Sequence, residues 1–123
     1  PRRNIVALNI EPGDEQSRQN IRQLHEELSK SRANLWAVSL QSGANQNSAR
    51  GLVLEQLTAN TGGRREFIHA ESALEAMMKN IVDNLNHQYE VTYKRPGGGK
   101  AQGVLVGVRR DGLKLYANRI PPQ

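Results

Sequence analysis

Glu11, Asp14 and Glu15 gather around Pro12-Gly13, just past the apolar run NIVALNI at residues 4–10, and Ser17 follows them. Carboxylates at the carboxyl end of a strand can start a site for a hard cation such as Mg²⁺. Such an ion needs several converging oxygens at fixed distances, and one turn with flexible acids supplies too few. The same residues have a plainer use. Asp14, or Ser17 as the alternative, can cap a following helix by accepting its orphan N–H groups. Glu15 would then sit near the positive end of the helix dipole. The expectation is a helix cap, with no metal or other cofactor held by this chain.

Other chemistry is sparse. His25, His69 and His87 are far apart, and none has a second ligand at metal spacing. His25 lies beside Glu26 on a helix face expected to be solvated, and His87 falls at a helix end, where positive charge is favoured. PGGGK, at 96–100, resembles a phosphate loop only in composition. A phosphate loop needs a helix after its lysine so that backbone amides point at the ligand, and here a strand follows. No cysteine is present, which excludes disulfides and thiolate chemistry. No nucleophile stands in a pattern with a base, and the chain is expected to be no enzyme.

The formal charge of +5 raises the question of nucleic acid. The excess sits late, in Lys94, Arg95, Lys100, Arg109, Arg110, Lys114 and Arg119, while residues 51–93 carry more acids than bases. Tyr116 is the only aromatic residue of that tail, so no row of rings is available to stack on single strands. A basic edge that blunts exposed strands is the preferred reading. A nucleic-acid or polyanion module using Lys94, Arg95, Lys100, Arg109 and Arg110 is the alternative.

These residues are positioned by elements of alternating period. The chain, 123 residues with 4% aromatic content, suits one domain with an aliphatic core. Asn4–Ile10 reads as a buried strand, and Asp14 to Arg32, with Ile21, Leu24 and Leu28, as an amphipathic helix. Asn34–Gln41 is strand-like, and SGANQNS at 42–48 is a loop. A helix bearing Leu52, Leu54 and Leu57 should end at Thr61-Gly62-Gly63, where glycine can take the left-handed C-cap conformation.

Arg65–His69 is a short strand, and a helix over Ser72–Gln88 presents Leu74, Met77, Met78, Ile81 and Leu85. The Met pair falls among core positions and is read as packing. The period then becomes two. QYEVTYK, GVLVGVR and LKLYANR form an expected antiparallel meander, with a type I′ hairpin at Asp111-Gly112. The fold class is therefore α/β, a Rossmann-like parallel sheet with covering helices over 1–88 and a C-terminal β meander over 89–123. No apolar run reaches the roughly 18 residues of a membrane span. Pro1-Arg2-Arg3 leads straight into a strand without a signal peptide, so the chain is expected to be a processed or cut piece.

The run LTANTGGRREF and the later LNHQYEVTYKRP, with Gln88, Tyr89 and Tyr93, resemble the end of a von Willebrand factor type A domain. The likeness is to the bacterial, acidobacterial-type VWFA-related proteins. Arg109 to Arg119 resembles their basic closing hairpin, with Ile120 where an aromatic residue is more usual. NIVALNI and the turn after it match the family's fourth strand and exit loop. The resemblance implies the second half of that fold, without the first strand whose Asp-x-Ser-x-Ser supplies most metal ligands. The aspartate that ends the fourth strand in the family is also absent, since Asn9-Ile10-Glu11 stand there. A Mg²⁺ site would need a longer parent protein.

What the resemblance implies about function is a non-enzymatic protein-interaction domain, of adhesion or scaffold type, in an exported bacterial protein, secreted or at the cell envelope. Partner-binding loops would be those above the carboxyl ends of the strands, with Glu11, Asp14, Glu15 and Ser17 on one and Gln41, Ser42 and Asn45 on the other. In the family the strand like 4–10 is central. Without its neighbour it becomes an edge with no proline and no charge. The expectation is a homo-oligomer through residues 4–10, or a partner chain that supplies the missing half.

Overall fold

Parallel strands whose crossovers are helices must be covered on both faces, and the central strand here meets that demand. The computed structural model describes residues 3–10, 20–41, 49–91, 94, 97 and 106–117. Strands β1 (Arg3–Asn9), β2 (Ala33–Leu40) and β3 (Arg65–Ile68) form a three-stranded sheet in the order β1-β2-β3. Both pairings are parallel, with Val6 beside Trp36 and Ala37 beside Arg65. Every residue of β2 from Ala33 to Ser39 is buried. The α/β class and the parallel sheet are as expected, and the sheet is small.

Right-handed crossovers in one direction place α1 (Ile21–Ser31) and α2 (Ala49–Thr61) on the same face, where they pack on each other and on β2. α3 (Leu74–Asn86), entered through the 3₁₀ turn Glu71–Ala73, covers the other face. There Trp36, Val38, Ile68 and Ile81 form the core, and Val6, Ile10, Leu40, Leu74, Met77, Met78 and Leu85 pack against it. The five α3 positions named from sequence all point into this core, the Met pair included.

α1 starts with its first apolar residue, Ile21, and not at Asp14 as expected. Asn20 is extended, and its Oδ1 accepts the Arg22 N–H at 2.9 Å. The cap expected of Asp14, or of Ser17, is therefore Asn20, because a short amide side chain beside the first turn satisfies the orphan donor directly. α1 ends at Arg32 in the left-handed conformation, φ 52°, whose N–H reaches the Leu28 and Ser29 carbonyls. His25 is half-buried, so the expectation of a solvated face fails there: His25 faces a shallow cleft shared with Gln56 and Asn60 of α2.

The two glycines after α2 do different jobs. Gly62 has φ 82° and ends the helix, as the left-handed C-cap expectation requires. Gly63 serves close approach instead: a Cβ there would lie 1.9 Å from the Leu35 carbonyl oxygen. Leu57 is buried in α2, but Leu52 is 65% exposed, so the helix's inner face is built by Gly51, Leu57, Thr58 and Thr61.

The expected C-terminal meander is not present among the described residues. Residues 88–91 and 106–117 carry no strand ladder, and the rest of the expected strands lies outside the described residues. The Asp111-Gly112 turn exists, yet positive φ belongs to Gly112 alone, 80°. A type I′ turn requires it at both central residues, so that hairpin type is ruled out. Residues 106–117 are all exposed.

Candidate functional site

Two features stand out once the sheet is assembled, a polar cluster under α2 and the open side of β1. Asn9 and Ser39 are paired in register and almost fully buried. Asn9 Nδ2 donates to Ser39 Oγ at 3.4 Å. Arg65 Nε donates to the same oxygen at 2.8 Å, while its Nη1 donates to the Gly51 carbonyl at 3.0 Å. Arg50 Nη1 completes the set by donating to Asn9 Oδ1 at 3.3 Å.

Chemically this cluster is rich in donors and poor in acids. Arg50 lies in the first turn of α2 and Arg65 bonds to Gly51 in it, so both guanidinium groups sit near the positive end of its dipole, and that turn carries no acidic residue. Burial pushes the Arg65 guanidinium below its ordinary pKa, and the Glu55 carboxylate offsets part of that. The Arg65 guanidinium also stacks over Phe67 at 4.7 Å, and its buried Nη2 has no acceptor among the described residues. The arrangement joins the carboxyl ends of β1 and β2 to the start of α2.

The open side of β1 follows from hydrogen-bond direction. Ala37 N–H donates to the Arg64 carbonyl and Gln41 N–H to the Ile68 carbonyl, so the odd residues of β2 face β3. Its even residues must then face β1, because backbone groups alternate sides along a strand. With Val6 beside Trp36, the odd residues of β1 answer them. Asn4, Val6 and Leu8 are left with N–H and C=O directed outward. Among the described residues β1 pairs with β2 only, and it exposes Ile5 (44%) and Leu8 (51%). Among the described residues β1 therefore lies at the edge of the sheet, where residues 4–10 were expected.

The residues singled out from sequence fall unevenly on this frame. Glu11, Asp14, Glu15, Ser17, Ser42 and Asn45 lie outside the described residues, as do Arg95 and Lys100. Gln41 is exposed at the end of β2, with its N–H held by Ile68. Lys94, Arg109 and Arg110 are exposed. Among the described residues no three His, Asp or Glu side chains gather as metal ligands would. Sequence reasoning missed Ser39, Arg50 and Arg65 as one group. The available sign was a polar residue at matching places in two apolar strands, Asn9 and Ser39, which only the register brings together.

A second contact ties the tail to the body. The Arg64 guanidinium lies 5.5 Å from the Trp36 ring centre and 5.0 Å from that of Tyr116, and it forms an ion pair with Glu66. Trp36 Nε1 is buried and has no hydrogen-bond partner among the described residues.

No protein-family profile matches the chain, and no curated relative does. Among solved structures it is similar to an uncharacterized membrane spanning protein from Vibrio fischeri, at 15% identity and a TM-score of 0.53. The match covers 69% of this chain and 47% of that one, so the likeness spans less than half of the neighbour and is one of fold. Among the described residues of the present chain, no helix is long and apolar enough to cross a membrane.

Proposed function

We propose that this chain is a non-enzymatic protein-interaction domain of the von Willebrand A type its sequence resembles, one that associates through the open edge of β1. The observation that carries the reading is that edge. It runs from Arg3 to Asn9, directs Asn4, Val6 and Leu8 outward, and lacks a proline or a charge between Asn4 and Asn9. Proteins that keep such an edge in solvent protect it with lysine, proline, a bulge or a cover. The parallel order and the carboxyl-end position of Gln41 also suit the resemblance. The Arg64–Tyr116 contact suits a C-terminal segment lying on the same domain. On the same resemblance the protein is exported, to the envelope or beyond, and a Mg²⁺ site belongs only to a longer parent.

Light scattering against protein concentration tests this. Association of the wild type, lost on Leu8→Lys with the melt preserved, is the expected outcome. Leu8 suits the test because it is exposed, whereas Val6 packs into the core and a lysine there would bury its charge. A monomer at every concentration, showing no binding to any partner through β1, would contradict the reading.

A further inference from the structure

We infer that the occupant of this edge is a second copy of the chain, with β1 antiparallel to its mate and the two-fold axis at Ala7. The inference rests on the interaction-domain reading and names its partner and register. A two-fold axis perpendicular to the sheet keeps each face on its own side. Residues set opposite one another must then share a face, so their positions differ by an even number. Placing the axis at Ala7 opposes Val6 with Leu8, Leu8 with Val6, Asn4 with Ile10 and Ile10 with Asn4.

These even residues of β1 are the ones whose backbone groups point outward, as the β2 hydrogen bonds require. Each such pair exchanges two hydrogen bonds, so the row from Asn4 to Ile10 is used without remainder. Leu8, half-exposed in the single chain, gains the partner's Val6 as its cross-strand neighbour. Ala7 falls on the axis as a pair without mutual hydrogen bonds, the kind with Cα atoms about 4.5 Å apart and side chains closest. It is the smallest side chain of the strand, which such a crossing favours.

Among the described residues the covering helices pack chiefly on the other strands, α1 on β2 and α2, and α3 on β3 and its core, and none pairs with the outer side of β1. No like charges meet, because no charged residue stands between Asn4 and Asn9. The product is one continuous sheet across two copies. A strand pair alone buries less than the roughly 1,600 Å² of a standard interface, so association is expected to depend on concentration.

The absence of native cysteine makes the register directly readable. Ala7→Cys, oxidised with diamide at high protein concentration, is expected to form a disulfide-linked dimer, since the spacing at the axis lies within disulfide reach. Ile5→Cys and Leu8→Cys, whose copies sit away from the axis, should link much more slowly. Faster linkage through Val6→Cys than through Ala7→Cys would move the axis and overturn the register. A wild-type dimer whose Ala7→Cys form never links overturns the inference and leaves the interaction-domain reading standing. A wild type that stays monomeric overturns the second copy by itself. In that case the broader reading falls as well if the monomer also binds no partner through β1, as protection of the Asn4, Val6 and Leu8 amides within the monomer would show.

Discussion

Leu35 N–H donates to Thr61 Oγ1 across 2.9 Å, and this bond finishes a ladder that β3 is too short to finish. β3 first pairs at Arg65, opposite Ala37, so the next β3-facing donor back along β2 belongs to Leu35. At that height the chain is still turning out of α2 through Gly62. Thr61 turns its hydroxyl in to take the donor and passes its own proton to the Leu57 carbonyl, also at 2.9 Å.

Thr61→Val keeps the shape and removes the acceptor, leaving a buried N–H unpaired. The expected cost is about 1–3 kcal/mol in chemical denaturation. Thr61→Ser keeps the oxygen and loses one methyl, at a cost of about 1 kcal/mol. A larger loss for Thr61→Ser than for Thr61→Val would mean that the methyl packing, and not the hydrogen bond, sets the role of Thr61.

The glycines separate by mechanism. Gly63→Ala forces a Cβ into the Leu35 carbonyl, which is backbone and cannot step aside. It should cost more than about 3 kcal/mol, at the upper end of overpacking effects. Gly112→Ala meets open space and pays only for its positive φ, about 1 kcal/mol. Ranking the two by denaturant midpoint checks both the α2–β2 approach and the turn.

Much of the frame was legible in the sequence, for particular reasons. β2 announced itself because NLWAVSLQ is apolar on both faces, and α3 because Leu74, Met77, Met78, Ile81 and Leu85 keep helical spacing. The α2 end was readable from Gly62, whereas the role of Gly63 depends on how near another strand passes. The start of α1 was not readable, since Asp14, Ser17 and Asn20 all have capping side chains and periodicity alone does not choose among them. The polar cluster stayed hidden because Asn9, Ser39, Arg50 and Arg65 converge only through the parallel register.

Arg65 offers a test of that cluster. A lysine cannot hold Ser39 Oγ and the Gly51 carbonyl together while stacking on Phe67, because it lacks the planar fork that makes these contacts. Arg65→Lys should therefore destabilise by about 1–2 kcal/mol. In a double-mutant cycle Ser39→Ala and Arg65→Met should be non-additive. Additive losses would mean that the two side chains do not act as a unit.

Tyr116 is the described tail's aromatic contact with the body, through Arg64. The single tryptophan, Trp36, lies against the same guanidinium and reports on it. Tyr116→Ala should cost about 0.5–1 kcal/mol, the worth of a partly exposed cation–π contact, and shift Trp36 emission. Unchanged emission together with unchanged stability would mean that the tail does not rest on Arg64 in solution.

The open edge of β1 is the centre of the account, and amide hydrogen exchange reads it residue by residue. In dilute protein Asn4, Val6 and Leu8 should exchange fast while Ile5 and Ala7, bonded to β2, exchange slowly. At high concentration the outward amides should slow as well, once a second strand takes them. Slow exchange at Asn4, Val6 and Leu8 in a dilute monomer would contradict the account, because the edge would then be covered from within the chain.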